Sequence, residues 1–284
     1  MKQRFFLLLV TLLTTTTMQA LTPQPGDTWD GSTKTLTVNS NPRAEAYAFN
    51  DEIEKVIFSN SVTEIGRYAF SDCRSLASIT FSYSVTTIGD WAFNYCAITS
   101  VNIPEGVSSI GLNPFSYCRK LTSINVSPGN TKYKSIDGVL FTIDGKKMVA
   151  YPVGNSRTSY TIPEGVTSAN AAFDFLYLSL KTLNIPSSLT DELFFYFLTT
   201  QGGLATINVA AEHPKYKSMD GVLFSKDGKE LVFYPKINTR TSYTIPDGVT
   251  SLADGSFSSC LTLSSVTIPS SVTSIGESVF RECI

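Results

Sequence analysis

The chain has 284 residues, a formal net charge of −2, 42% hydrophobic residues and only 16% charged ones. That composition belongs to an ordered protein with a sizeable core rather than a disordered one, and it gives no electrostatic reason to expect a nucleic acid partner. Half of the basic residues do cluster, as Lys132, Lys134, Lys146, Lys147 and Arg157 and as Lys215, Lys217, Lys226, Lys229, Lys236 and Arg240. Asp137, Asp144, Glu212, Asp220, Asp227 and Glu230 are interspersed with them, so the clusters read as a solvated surface of mixed sign rather than a polyanion site.

Residues 1–20 read as a secretory signal peptide, because Lys2 and Arg4 precede an apolar run from Phe5 to Leu13 and a short polar stretch ends at Ala20. The run is shorter than the roughly 20 apolar residues of a membrane span. Cleavage is expected after Ala20, with Met18 in place of a small residue at the −3 position, and no cysteine follows that would take a lipid anchor. No later segment reads as a transmembrane helix or a sorting tail. Residues 21–60 are predicted to form an N-terminal cap. Trp29-Asp30-Gly31 and Thr35-Leu36-Thr37-Val38 suggest a small hairpin, and Tyr47-Ala48-Phe49 with Ile53, Val56 and Phe58 suggests a shortened first coil without cysteine.

From residue 61 to 284 one phrase recurs. It reads Val62-Thr63-Glu64-Ile65-Gly66, Ala69-Phe70, Cys73, Leu76, Ile79, Phe81, and returns from Val85, Val107, Val249 and Val272 and more loosely from Val166 and Leu189. A repeat of this length signals a solenoid, whose coils bury a core only by stacking. The residues Ile79 and Phe81, two apart, point to one face of a strand. The strand recurs after Leu121, Leu180 and Leu263, so a parallel sheet of short strands is predicted, with a proline or serine turn closing each one, as at Ile103-Pro104-Glu105-Gly106. Gly66, Gly89, Gly111 and Gly276 are expected to supply a backbone conformation that a side chain resists. Phe70, Phe93, Phe115, Phe197, Phe257 and Phe280 share one repeat position and are assigned to a core stack.

All five cysteines, Cys73, Cys96, Cys118, Cys260 and Cys283, also share one register. Equivalent side chains in stacked coils point the same way, whereas a disulfide needs facing Cβ atoms, so these read as buried small hydrophobes rather than bridges or metal ligands. Tyr177 and Thr200 replace cysteine in the middle two coils, which are therefore expected to be the most irregular.

Two coils carry the same insertion, about 128–162 and 211–245. Lys132-Tyr133-Lys134-Ser135-Ile136-Asp137-Gly138-Val139-Leu140-Phe141 is repeated 83 residues later as Lys215-Tyr216-Lys217-Ser218-Met219-Asp220-Gly221-Val222-Leu223-Phe224. Each runs on through Asp144-Gly145 or Asp227-Gly228 to Tyr151-Pro152 or Tyr234-Pro235. Asp-Gly between β-rich runs predicts a β-hairpin leaving and rejoining the solenoid. Tyr151 and Tyr234 either pack the hairpin onto its coil or project outward to a ligand. The last repeat stops after Cys283, before any closing strand, so the chain reads as a fragment of a longer protein or as one with an exposed last coil.

The phrase Val-Thr-x-Ile-Gly-x-x-Ala-Phe-x-x-Cys-x-x-Leu-x-x-Ile-x-Ile-Pro resembles the BspA-like leucine-rich repeat of surface proteins in host-associated bacteria and some protists, over residues 45–284. The resemblance implies a mainly β, right-handed leucine-rich-repeat solenoid of roughly 22–23-residue coils with short irregular or 3-10 segments. It also implies an adhesin or surface antigen that binds host matrix or plasma proteins. Ser84, Gly106, Ser188 and Ser271 stand where the common leucine-rich pattern has Asn or Cys, so an asparagine ladder is not expected there. The family transfers no binding residues. Catalysis is disfavoured because the only histidine, His213, precedes Pro214 and aligns with Asn130 as a turn residue. No cofactor or metal is expected. The function expected is protein–protein contact at or outside the cell surface, with a glycan-binding module or a structural spacer as the alternatives. Outward tyrosines on the hairpins would favour binding, and packed ones the spacer.

Overall fold

The computed structural model describes residues 21–169, 172–173, 179–201 and 203–283. Residues 1–20, read above as a signal peptide, Tyr177, and the side chains of Phe197 and Thr200 lie outside the described residues. The chain winds into a β-solenoid of about ten turns at about 23-residue spacing. One short strand per coil stacks in parallel on its neighbour. Thr35–Val38, Lys55–Phe58 and Ser78–Thr80 pair in that order, as do Ser159–Thr161, Thr182–Ile185 and Thr206–Val209. Ser100–Ile103 pairs with Ser123–Val126, and Ser242–Thr244 with Ser265–Thr267. The predicted period of two holds: Val56 and Phe58, or Val101 and Ile103, are buried while Ser100 and Asn102 face solvent. The Val-Thr-x-Ile-Gly segment makes a second parallel ladder, in which Glu64–Ile65, Thr87–Ile88 and Ser109–Ile110 pair.

The aromatic position is a core stack. Tyr47, Phe70, Phe93 and Phe115 follow one another at 5.3, 5.5 and 5.8 Å between ring centroids, and Tyr234, Phe257 and Phe280 at 5.2 and 5.4 Å, although Phe280, in the last described coil, is 40% exposed rather than core. The five cysteines are free, and each thiol donates to a carbonyl 25 or 26 residues earlier, for example Cys73 to Tyr47 and Cys96 to Phe70. Burial pushes the Cys73 and Cys260 thiols up to about 12 and raises that of Cys96 well above its ordinary value. Thiol reagents attack the thiolate. In the native protein Cys283, which is only partly buried, is therefore expected to react at least about tenfold faster than the other four, read by mass spectrometry after brief alkylation. Equal labelling of all five would contradict this packing.

The expectation for the repeat glycines needs correcting. Gly66, Gly89 and Gly111 do not hold a left-handed conformation; a Cβ there would instead lie 2.3–2.8 Å from atoms of the preceding coil, such as Pro42 O, Arg67 N or Asp90 Oδ1. They are small because two coils nearly touch. The left-handed positions are two and six residues further on and are occupied mostly by residues other than glycine.

The insertions also differ from free hairpins. Asp137 and Gly138 both have positive φ, 52° and 79°, as do Asp220 and Gly221, 50° and 80°, which closes the type I′ hairpins Tyr133–Ile136/Val139–Thr142 and Tyr216–Met219/Val222–Ser225. A third antiparallel strand follows, Met148–Ala150 or Glu230–Phe233. Glu230–Phe233 pairs in parallel with Ser251–Leu252, and Met148 N–H donates to Ser168, so this third strand belongs to the second ladder of the solenoid. Tyr151 and Tyr234 then occupy the aromatic core position: their N–H groups donate to Ala172 and Ser256 as that of Phe70 does to Ala92. Each insertion is thus a further coil with a hairpin folded into it.

The middle strand of each meander is buried on both faces and runs through the core. Leu140 packs into the N-terminal cluster, and Val139 and Phe141 into the central one. Leu223 packs into the central cluster, and Val222 and Phe224 into the C-terminal one. The hairpin turns seat on the preceding sheet, with Ile124 N–H donating to Gly138 and Ile207 N–H to Gly221.

The coil from Leu189 departs furthest from the rest. Glu192–Gln201 is an α-helix, which the repeat register did not predict. Asp191 caps it, accepting from Leu193 N–H at 3.1 Å, and Leu189-Thr190-Asp191-Glu192-Leu193 lacks the glycine that lets other coils close up. Phe194, Phe195 and Leu198 fill the core, and Phe194 lies 6.0 Å from Phe173. No asparagine stands at the expected post-strand position; Ser84 and Ser188 hydroxyls instead donate to Val62 and Val166 carbonyls at 2.8 Å. An outward ladder occurs one place inside the strands, where Asn125 donates to Asn102 and Asn208 to Asn184.

Candidate interaction surface

The hairpin tyrosines do not form a surface. Tyr151, Tyr160, Tyr234 and Tyr243 are all buried, Tyr133 and Tyr216 are half-buried, and Tyr133 spends its hydroxyl on Ile110 N–H. On the criterion set above, the hairpins themselves weigh toward a structural role. His213 is sealed in the core between backbone partners and is in no position to act as a base. Among the described residues no cluster of His, Cys, Asp and Glu could hold a metal ion.

The outer aromatics lie on the return edge, where each coil turns between the glycine and the cysteine. Two residues per coil there are left-handed: Tyr68 and Asp72, then Trp91 and Tyr95, then Asn113 and Tyr117, all with φ between 48° and 58°. Between them the N–H groups of Tyr68, Phe70 and Asp72 donate to Asp90, Ala92 and Asn94 of the next coil, a ladder without strands. The inward residues of this edge are Ala, Phe and Cys, so the left-handed residues point out.

A left-handed conformation is costly for bulky side chains and tolerable for Asn or Asp. Other coils place Glu45, Gly255, Ser259, Ser278 and Glu282 at these positions, and the coil before Tyr68 adds the exposed Phe49, so the backbone accepts an aromatic there without requiring one. Four aromatics are nevertheless concentrated in three adjacent coils. Tyr68 and Trp91 stack at 6.3 Å and 15°, and Tyr95 and Tyr117 at 4.3 Å and 3°. Such pairs recover roughly 0.5–1.5 kcal/mol each, comparable with the strain they accompany. All four rings are half-buried.

Cations frame these rings. The Arg67 guanidinium lies 4.8 Å over the Tyr68 ring, and Arg74 pairs with Asp72 at 3.1 Å. Arg74, Tyr95, Ala97, Tyr117, Arg119 and Lys120 line an open groove of about 370 Å³. Tyr, Trp and Arg are the side chains that most often carry binding energy in protein interfaces. A second groove of about 340 Å³ lies at the sheet, where Thr161, Asn184 and Asn208 bond one another beside the apolar Ile162, Ile185, Pro186 and Val209, and it holds no aromatic and no cation.

Sequence reasoning named no ligand-binding residue, and it passed over this edge. The signal was present as aromatics at one register, two and six residues after the glycine, but those positions vary between coils and read as unconstrained.

The family described as BspA type leucine rich repeat region matches residues 43–142 and 229–284, in six copies. Comparison with curated protein sequences gives no match. Among solved structures, the chain is similar to the pneumococcal vaccine antigen PcpA, with 22% identity, a TM-score of 0.56, and coverage of 86% of this chain and 58% of that one. It is similar to a leucine rich cell surface protein from Faecalibacterium prausnitzii, with 28% identity, a TM-score of 0.56, and coverage of 85% and 60%. A leucine-rich repeat protein from Eubacterium ventriosum shares the fold at 20% identity and a TM-score of 0.55, with 88% and 82% covered. The chain thus spans about three-fifths of the length of the first two. Among the described residues no helix is long and apolar enough to cross a membrane.

Proposed function

Because the chain belongs to the BspA-type leucine-rich repeat family, we propose that it is an exported, non-enzymatic surface protein that works as a protein-interaction module, adhering to host matrix or plasma proteins. The observation that carries this reading is the return-edge row of Tyr68, Trp91, Tyr95 and Tyr117, large rings held outward at backbone positions that favour smaller residues. Spread over three coils, the row offers extended contact rather than an enclosed cleft, as suits a solenoid.

The test uses variants that other coils of this chain already endorse. Tyr68→Asn and Trp91→Asn copy Asn113, and Tyr95→Ser and Tyr117→Ser copy Ser259, so the backbone strain falls and the fold is expected to hold. In a screen against matrix and plasma proteins, the fourfold variant is expected to keep its thermal midpoint and to lose at least about tenfold in affinity for any protein the wild type binds. Undiminished binding would move the surface elsewhere on the solenoid, and no binding by the wild type would count against the adhesive reading.

A further inference from the structure

The groove at Arg74, Tyr95, Tyr117, Arg119 and Lys120 has chemistry narrower than a general contact surface. The protein carries a net charge of −2, yet this groove presents three cations. Two carboxylates hold Arg74: Asp72, mostly buried, pairs with its guanidinium, and Asp51 accepts from its backbone N–H at 2.8 Å. Arg119 and Lys120 are adjacent and exposed on the coil that starts at Val107, and Lys120 is in no ion pair among the described residues. The Tyr95 and Tyr117 rings lie parallel at 4.3 Å and 3°, so each covers one face of the other, and both line the groove. The edges of aromatic rings carry partial positive charge, which suits an anionic neighbour beside the three cations.

We propose that this groove binds acidic side chains of a protein partner, with the Arg119 guanidinium and the Lys120 ammonium taking carboxylates and the tyrosine pair forming its floor. The proposal rests on the interaction-module reading and deepens it by naming the partner's chemistry. A guanidinium can bind a carboxylate through two parallel hydrogen bonds, and an exposed site of this kind gains much of its affinity from charge.

The probe is a blocked, fluorescent peptide of alternating glutamate and alanine, titrated with the intact protein and followed by anisotropy. Saturable binding is expected, weakening at least about tenfold when ionic strength rises from about 0.1 to about 1 M, where the screening length shrinks from about 10 to about 3 Å. The exposed double variant Arg119→Glu/Lys120→Glu is expected to abolish it with an unchanged thermal midpoint, and the matching lysine peptide should not bind wild type. Absent binding, equal binding by the charge-reversed variant, or clear preference for a heparin-type oligosaccharide over the peptide would overturn the proposal. If the peptide fails while the protein still captures matrix or plasma proteins through its aromatic row, only the acidic-partner inference falls.

Discussion

Truncating Phe141 to alanine is expected to destabilise the protein by about 3–5 kcal/mol, and Leu140→Ala by about 2–5 kcal/mol. Both side chains are fully buried and sit on adjacent positions of one strand, so they point to opposite faces. Leu140 belongs to the N-terminal core cluster and Phe141 to the central one, which makes this strand a wall through the solenoid rather than an appendage. Solenoids are stabilised by nearest-neighbour interfaces, so the two losses should appear in different places. The two tryptophans, Trp29 and Trp91, both lie in the N-terminal coils. Denaturation followed by tryptophan fluorescence should therefore register Leu140→Ala more strongly, and far-ultraviolet circular dichroism Phe141→Ala. Losses below about 1 kcal/mol, the range of exposed hairpin positions, would show that the meander does not partition the core.

Replacing His213 by leucine is expected to cost about 2–5 kcal/mol, whereas asparagine should be nearly neutral. The ring is fully buried; its Nδ1 accepts from the N–H groups of Lys215 and Tyr216 at 3.2 and 3.0 Å, and its Nε2–H donates to the Leu189 carbonyl at 2.8 Å. Leucine would leave all three backbone groups unpaired. Asparagine has both a donor and an acceptor, and Asn130, at the aligned position, already does this work: Oδ1 accepts from Lys132 and Tyr133 N–H while Nδ2 donates to Pro104 and Val107 carbonyls.

The same geometry makes the coil sensitive to acid. A protonated ring has a donor on both nitrogens, which opposes the two N–H groups facing Nδ1, and burial lowers the His213 pKa below its ordinary 6.5. As pH falls the unfolded chain therefore takes up the proton first. The stabilisation is complete above about pH 6.5 and is lost below it, as pH falls through the folded-state pKa. Since the chain has one histidine, denaturation midpoints measured between about pH 7 and pH 5 should fall for wild type and not for His213→Asn. Parallel curves for the two proteins would remove His213 as the cause.

The repeat phrase was enough to read the parallel strands, the phenylalanine stack and the absence of disulfides among the described cysteines, because each depends on a side chain meeting its own equivalent one period away. The hairpin turns were legible too, since Asp-Gly at Asp137-Gly138 carries its backbone preference locally. The helix Glu192–Gln201 has a local signal in its Asp191 cap, which runs against the repeat register and went unread.

What the sequence by itself determined is therefore the solenoid, its period and its family. Only the tertiary structure decided that the inserted strands wall the core, that the repeat glycines are small because coils approach within contact, and that the outer aromatics line up on the return edge. Those three facts depend on distances between residues about 22 or more positions apart, set by how tightly successive coils pack, and no local pattern encodes a distance of that kind.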